Sequence, residues 1–151
     1  MKKVSCGLLV FFVCFILSSC TSRLQPQYNL PSQDLNAEKA EGFTRVLFYS
    51  KSDLLYWLLF GLDNSDQVDI EIDHLNVGSI KPGEYVQIDL QPQLYTFQLT
   101  HHDAIAITND YEIEISGPEM YIRVWSGAVT TEYGFEQELP KNFKRKYKAA
   151  Y

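Results

Sequence analysis

The chain has 151 residues, 13 basic and 19 acidic side chains, a formal net charge of −6 and 46% hydrophobic residues. That length carries one ordinary domain with one core. An acidic balance excludes nucleic acid as the natural partner, because neutralising phosphates needs an extended basic face.

The N-terminus opens with Lys2 and Lys3, continues through an apolar run from Val4 to Leu17, and closes on Ser18, Ser19 and Cys20. This order is that of a secretory signal. The run is about fourteen residues, short of the roughly twenty that a spanning helix needs. Leu17-Ser18-Ser19-Cys20 resembles a bacterial lipobox, which implies cleavage before Cys20 and lipid, palmitate included, on its thiol. Cys6 and Cys14 leave with the signal, so Cys20 has no disulfide partner, and free cysteines are rare in exported chains. Two or more acyl chains hold durably where one holds only reversibly. Thr21, rather than an aspartate, follows Cys20. By resemblance to enterobacterial lipoproteins, that favours the outer membrane, with the protein facing the periplasm.

The expected organisation is therefore a signal peptide over 1–19, a lipid-attached tether over 20–42, a β-sandwich domain over 43–139 and a basic C-terminal tail over 140–151. Removing the signal leaves eleven basic against nineteen acidic side chains. The tether reading rests on Ser22, Gln25, Pro26, Gln27, Pro31, Ser32 and Gln33, with no hydrophobic periodicity. Its alternative is a segment packed on the domain through Tyr28 and Leu30.

From Thr44 to Glu138 short apolar or alternating segments recur every eight to twelve residues between turn signals. This spacing predicts an all-β fold, an antiparallel β-sandwich of about seven strands. Arg45–Tyr49 is the first strand. Val68, Ile70 and Ile72 alternate with Asp69, Glu71 and Asp73, giving one apolar and one wet face. Lys81-Pro82-Gly83-Glu84 fits a type II turn and predicts a hairpin. Beyond it Val86, Ile88 and Leu90 form one inward row, and Tyr95, Phe97 and Leu99 another. Tyr111, Ile113 and Ile115 alternate with Glu112 and Glu114, Ser116-Gly117-Pro118-Glu119 turns, Met120–Trp125 is a strand, and Ala128–Tyr133 pairs back on it.

Arg45-Val46-Leu47-Phe48-Tyr49, the stretch from Ile72 through Asp73, His74, Leu75, Asn76, Val77, Gly78 and Ser79 to Ile80, and Pro82-Gly83-Glu84-Tyr85-Val86 follow one another in a suggestive order. Over about ninety residues they resemble small bacterial lipoproteins carrying a PEGA-like β-sandwich domain of unknown function. In that family a strand ending "FYR" precedes an insert, a "VDG..VG.L..G.Y" hairpin and a strand led in by "PPG". The resemblance implies a prealbumin-like, non-enzymatic sandwich tethered in the envelope. Two positions depart from it: His74 stands where the family has glycine after Asp73, and Gln93 replaces the glycine of "PPG". Those turns must use other φ values, or Asn76 as the left-handed residue.

Leu54, Leu55, Tyr56, Trp57, Leu58, Leu59 and Phe60 form the most hydrophobic stretch after the signal, inside the insert between the first two strands. They are the candidate membrane or partner contact, with Tyr56 and Trp57 as interface anchors; the competing reading is a core segment. His101-His102-Asp103 invites a metal or triad reading, but adjacent strand residues point to opposite faces and His74 is the only other histidine, so no metal or cofactor is expected. Glu112 and Glu114 are about 7 Å apart along a strand, a glycosidase-like spacing that any alternating acidic strand also gives. Asp63-Asn64-Ser65-Asp66 lacks the glycine and terminal glutamate of a calcium loop. In the tail, Lys141, Lys144, Arg145, Lys146 and Lys148 accompany Phe143 and Tyr147; a solubilising tail and a contact for anionic headgroups are the two readings. No base and nucleophile pair up, so the expectation is a structural or protein-interaction module rather than an enzyme, with a small-ligand or glycan-binding envelope module as the alternative.

Overall fold

The computed structural model describes residues 23, 25–28, 30–51, 67–102, 106–126 and 131–151. They form β1 (Thr44–Ser50), β2 (Val68–Ile72), β3 (Leu75–Ile80), β4 (Glu84–Leu90), β5 (Leu94–His102), β6 (Ala106–Glu114), β7 (Glu119–Ser126), β8 (Thr131–Glu136), a short helix α1 (Phe143–Lys146) and β9 (Lys148–Ala149). The fold is all-β, as the spacing of apolar segments predicts. One sheet has the order β8-β7-β1-β4-β9 and the other β3-β2-β5-β6. Pairing is antiparallel except for β1 with β7 and β4 with β9. The two strands beyond the expected seven are β3, hidden inside the hairpin motif, and the two-residue β9.

The rows of alternating residues meet between the sheets. Val46, Phe48, Val86, Ile88, Ile122 and Val124 from the first sheet pack on Val68, Ile70, Ile72, Phe97, Leu99 and Ile113 from the second. β1 is buried along its whole length, because its outward residues Leu47 and Tyr49 lie in a second cluster with Tyr85, Phe143 and Tyr147. A strand covered on both sides needs apolar residues at consecutive positions, which explains the unbroken Val46–Tyr49 run.

The turn at 81–84 forms, with the Glu84 N–H donating to the Lys81 carbonyl at 2.9 Å and Gly83 at φ 82°. It makes no hairpin. β3 and β4 belong to different sheets, and the Gly83 N–H instead reaches the Ser50 carbonyl at 2.8 Å. Alternation specifies which side of a strand is buried and leaves open which sheet supplies the opposite wall. β2 and β3 do make a two-residue hairpin, and there Asp73 (φ 48°) and His74 (φ 66°) both adopt left-handed backbone while Asn76 does not. Asn-Gly is the usual choice for such a turn. Here Asp73 is held by its N–H to Thr96 O (2.9 Å) and by the Thr96 N–H to its own Oδ1 (3.0 Å).

Both segments expected to be free are packed. Residues 25–28 and 30–42 form a strap: Gln27 and Tyr28 N–H donate to Asn76 O on the edge of β3, and Tyr28 and Leu30 pack against the core. The Gln33 side chain imitates a strand, donating from Nε2 to Gln87 O (3.0 Å) and accepting the Gln87 N–H at Oε1 (2.9 Å). Arg45 then holds the strap through Ala37 O (2.5 Å) and Glu38 O (3.2 Å) while pairing with Asp89. Polar composition signalled irregular backbone, yet these polar groups satisfy the sheet's outer surface. The tail likewise places Phe143 and Tyr147 on Tyr49 and Tyr85, and β9 extends the sheet beyond β4.

The sandwich therefore has two distinct ends. One carries Ser50, Ile80, Glu84 and Ala106, and the other the Asp73 turn, Leu90, Leu94 and Glu114. Along one side the strap, Tyr151 and β9 cover β3 and β4. Along the other, β6 and β8 have no second strand partner among the described residues.

Candidate functional site

Two carboxylates are buried at the Glu84 end. Asp69 sits on the outward face of β2, and its neighbours β3 and β5 bring Ser79 and His102 to it across the register pairs Asp69↔Ser79 and Val68↔His101. Its Oδ1 accepts from Gln67 Nε2 at 3.0 Å and from the Ser79 hydroxyl, while Oδ2 meets His102 Nε2 at 2.5 Å. Ser79 is fully buried, and Asp69 nearly so. The Gln67 Oε1 is buried with no hydrogen-bond partner among the described residues, an arrangement that costs on the order of 1–3 kcal/mol.

A serine, a histidine and an aspartate thus meet, in an order that does not activate the hydroxyl. Nucleophilic triads place the imidazole between the carboxylate and the hydroxyl, so that it takes the hydroxyl proton. Here the carboxylate is central, and the hydroxyl donates to it from a position closed to solvent. The chemistry of the cluster is to pin three adjacent strands. His101 points the other way, into the interior, so the adjacent histidines take opposite faces as strand geometry requires.

Glu84 is the second hub. Arg23 Nη2 lies 2.8 Å from both Glu84 oxygens, Arg23 Nη1 donates to Ala150 O at 2.9 Å, the Lys81 N–H reaches Oε2 at 3.0 Å, and Lys148 Nζ stands 3.4 Å from Oε1. The Glu84 side chain is 4% exposed. Two cations and one backbone N–H around one buried carboxylate offset its desolvation, and the hub joins the strap, β4 and the C-terminal segment at a single point.

The other residues singled out from sequence separate. Glu112 and Glu114 share the exposed outward face of β6 with Asp110, which accepts from Gln98 Nε2 at 2.8 Å. No group of three or more His, Cys, Asp or Glu side chains suited to a metal ion occurs among the described residues. No helix among them is long and apolar enough to cross a membrane. Cys20, the run Leu54, Leu55, Tyr56, Trp57, Leu58, Leu59 and Phe60, the Asp63–Asp66 stretch and Asp103 lie outside the described residues.

No family model, curated protein or solved structure matches the chain.

Sequence reading missed both hubs. Asp69 looked like one member of a solvated row, and Glu84 like a turn residue. Arg23 lay in a polar stretch, and nothing in local spacing pairs it with a residue 61 positions away. Exposed aromatic surface was missed as well: Phe135 on β8 is 55% exposed beside Tyr133, which in turn meets Tyr111 of β6 at 4.7 Å.

Proposed function

We propose that the chain is a bacterial envelope lipoprotein, held to a membrane by acyl chains on Cys20, whose β-sandwich is a non-catalytic structural or protein-interaction module. The observation that carries this reading is Leu17-Ser18-Ser19-Cys20 placed directly after a short apolar run headed by Lys2 and Lys3. The motif-level resemblance to PEGA-like lipoproteins agrees with it, and Thr21 after Cys20 favours the outer membrane as the destination. Support for a non-catalytic role comes from the Asp69 cluster, where serine, histidine and aspartate meet with the hydroxyl buried and the imidazole on the wrong side. Support for protein contact comes from the open side: β6 and β8 have no second strand neighbour among the described residues and lie beside exposed Phe135, and such sheet edges template strand addition. The apolar run Leu54–Phe60 is the second contact candidate, joined to the described fold at Lys51 and Gln67 at the Glu84 end.

Metabolic labelling with a palmitate analogue tests the anchor. Label incorporated by the native chain and abolished by Cys20→Ser is the expected result; equal labelling of both, or none in the native chain, overturns it. Photo-cross-linking from Phe135 and from Leu58 then asks whether a protein is contacted. Failure of both positions to capture any protein in intact cells removes the interaction reading.

A further inference from the structure

Arg23 fastens the chain to the sandwich only three residues after Cys20, at a buried carboxylate that defines one end of the fold. Three extended residues span at most about 11 Å. The nine residues of β6, Ala106–Glu114, rise about 27 Å from one end of the sandwich to the other. A lipid on Cys20 therefore lies within about 11 Å of the Arg23 backbone, whose guanidinium is fixed at the Glu84 end.

The next contacts of the strap after Arg23 lie elsewhere on the fold. The next attachment after it is at Gln27 and Tyr28, whose N–H groups donate to Asn76 O, beside the Asp73 turn at the opposite end. Without the Arg23 contact, the first fixed point on the chain would be seven residues from Cys20 and at the wrong end to hold the Glu84 side down. Arg23 Nη2 meets both Glu84 oxygens while Nη1 donates to Ala150 O, so the guanidinium is fixed at two separate points of the fold.

We infer that Arg23 and Glu84 are a positioning clamp that seats the Glu84 end of the sandwich on the lipid surface to which Cys20 is attached, leaving the acidic Asp73 end and the open β6/β8 side facing away from or along the membrane. This rests on the lipid-anchor reading. Tether length carries it, and attraction to anionic lipid does not. Exposed Lys51 and Lys148 stand at this end, but so does Glu132, and Asp53, Asp63, Asp66 and Asp103 belong to segments joined to the fold there in sequence. The partner surface is accordingly the bilayer as such, with no preference for an anionic headgroup.

The expected arrangement gives two probe sites of opposite fate. Lys51 is exposed next to Ser50, and Glu114 is exposed at the far end of β6. Once the signal is removed, Cys20 is the one native cysteine and its thiol is acylated, so the full chain carrying Lys51→Cys or Glu114→Cys offers a single thiol for a fluorophore. The acylated protein is reconstituted in phosphatidylcholine vesicles, with and without phosphatidylglycerol, and quenched by headgroup nitroxide lipid.

The inference expects several-fold stronger quenching at the Lys51 probe than at the Glu114 probe in both lipid mixtures, with the gap narrowing in Arg23→Ala and Glu84→Gln. Equal quenching at the two sites in protein with the native clamp overturns it, and that comparison needs neither clamp substitution to fold. A gap that survives both substitutions unchanged overturns the clamp's role. A gap present only with phosphatidylglycerol overturns the tether argument in favour of charge. Intact mass measured on the same samples separates these results from failure of the anchor: protein without acyl chains refutes the lipoprotein reading itself.

Discussion

Phe143→Ala removes the ring that fastens the C-terminal segment to the outer surface of the first sheet. Phe143 is 5% exposed. Its ring meets Tyr49 edge-on at 5.4 Å, leans on Tyr85 at 5.5 Å and stacks on Tyr147 at 4.4 Å with a 12° interplanar angle. Burying a phenylalanine contributes about 1.5–3 kcal/mol, and each aromatic pair about 0.5–1.5 kcal/mol more. The pairs share one ring and do not add in full, so the expected cost is about 3–4 kcal/mol, inside the usual range for a buried phenylalanine. For a domain of roughly 110 residues this lowers Tm by about 10–20 °C. Thermal unfolding of lipid-free protein followed by circular dichroism checks it, with Lys146→Ala on the exposed face of the same helix as a control expected to change stability by less than about 0.5 kcal/mol. A Tm shift below about 2 °C for Phe143→Ala would refute the reasoning, because it would mean that the segment behaves as the free basic tail its composition suggests.

Alkaline pH should loosen the same cluster. Burial pushes the Tyr49 phenol up from 10.0 to about 12, with Glu136 and Tyr147 adding to it, and burial also raises Tyr147. The fold favours the neutral phenol, so the stabilisation is fully present below the ordinary value near 10 and is lost as pH rises toward about 12; for Tyr49 this is on the order of 2–3 kcal/mol. Tyr49→Phe should flatten the alkaline limb of stability measured by denaturant melts, and an unchanged limb would count against the burial argument. Asp89→Ala strands the Arg45 guanidinium, whose side chain is 8% exposed, and should cost about 3–5 kcal/mol, with Arg45→Met/Asp89→Leu recovering most of it; a loss under about 1 kcal/mol would place the pair in the surface class. Gly78 has φ +136°, and a Cβ there would come within 2.5 Å of the Tyr151 ring. Gly78→Ala should therefore cost more than about 1 kcal/mol, and Tyr151→Ala in that background should restore only the part due to the clash. Full restoration would assign the whole effect to the ring and none to the backbone.

What the sequence made legible is the direction of side chains. The rows Val68-Ile70-Ile72, Val86-Ile88-Leu90 and Tyr95-Phe97-Leu99 are all buried, because a strand with one apolar face has one stable orientation. Partnership between strands was less legible. The chain passes from one sheet to the other at 81–84, again between Leu90 and Leu94, and again between Glu114 and Glu119, and a tight turn with proline and glycine serves a sheet-to-sheet arch as well as a hairpin. Polar strap residues were hidden for a related reason. The Gln33 side chain pairs with the Gln87 backbone at long range, and composition shows only that both residues are polar. The Asp73-His74 turn succeeds without glycine because β5 supplies hydrogen bonds that hold the left-handed backbone, a compensation absent from the four residues themselves. The Glu84 clamp needed the third dimension altogether, since Arg23, Glu84 and Lys148 come from three separate parts of the chain.

The lipid on Cys20 underlies both the proposed function and the orientation inferred from Arg23. Intact mass spectrometry of the full-length gene product recovered from the membrane fraction of a bacterial host tests it most directly. The expected result is a chain beginning at Cys20 and carrying the added mass of a diacylglyceryl group, with or without a further N-acyl chain. A chain that retains Met1, or one cleaved near Cys20 with no added lipid mass, would contradict it.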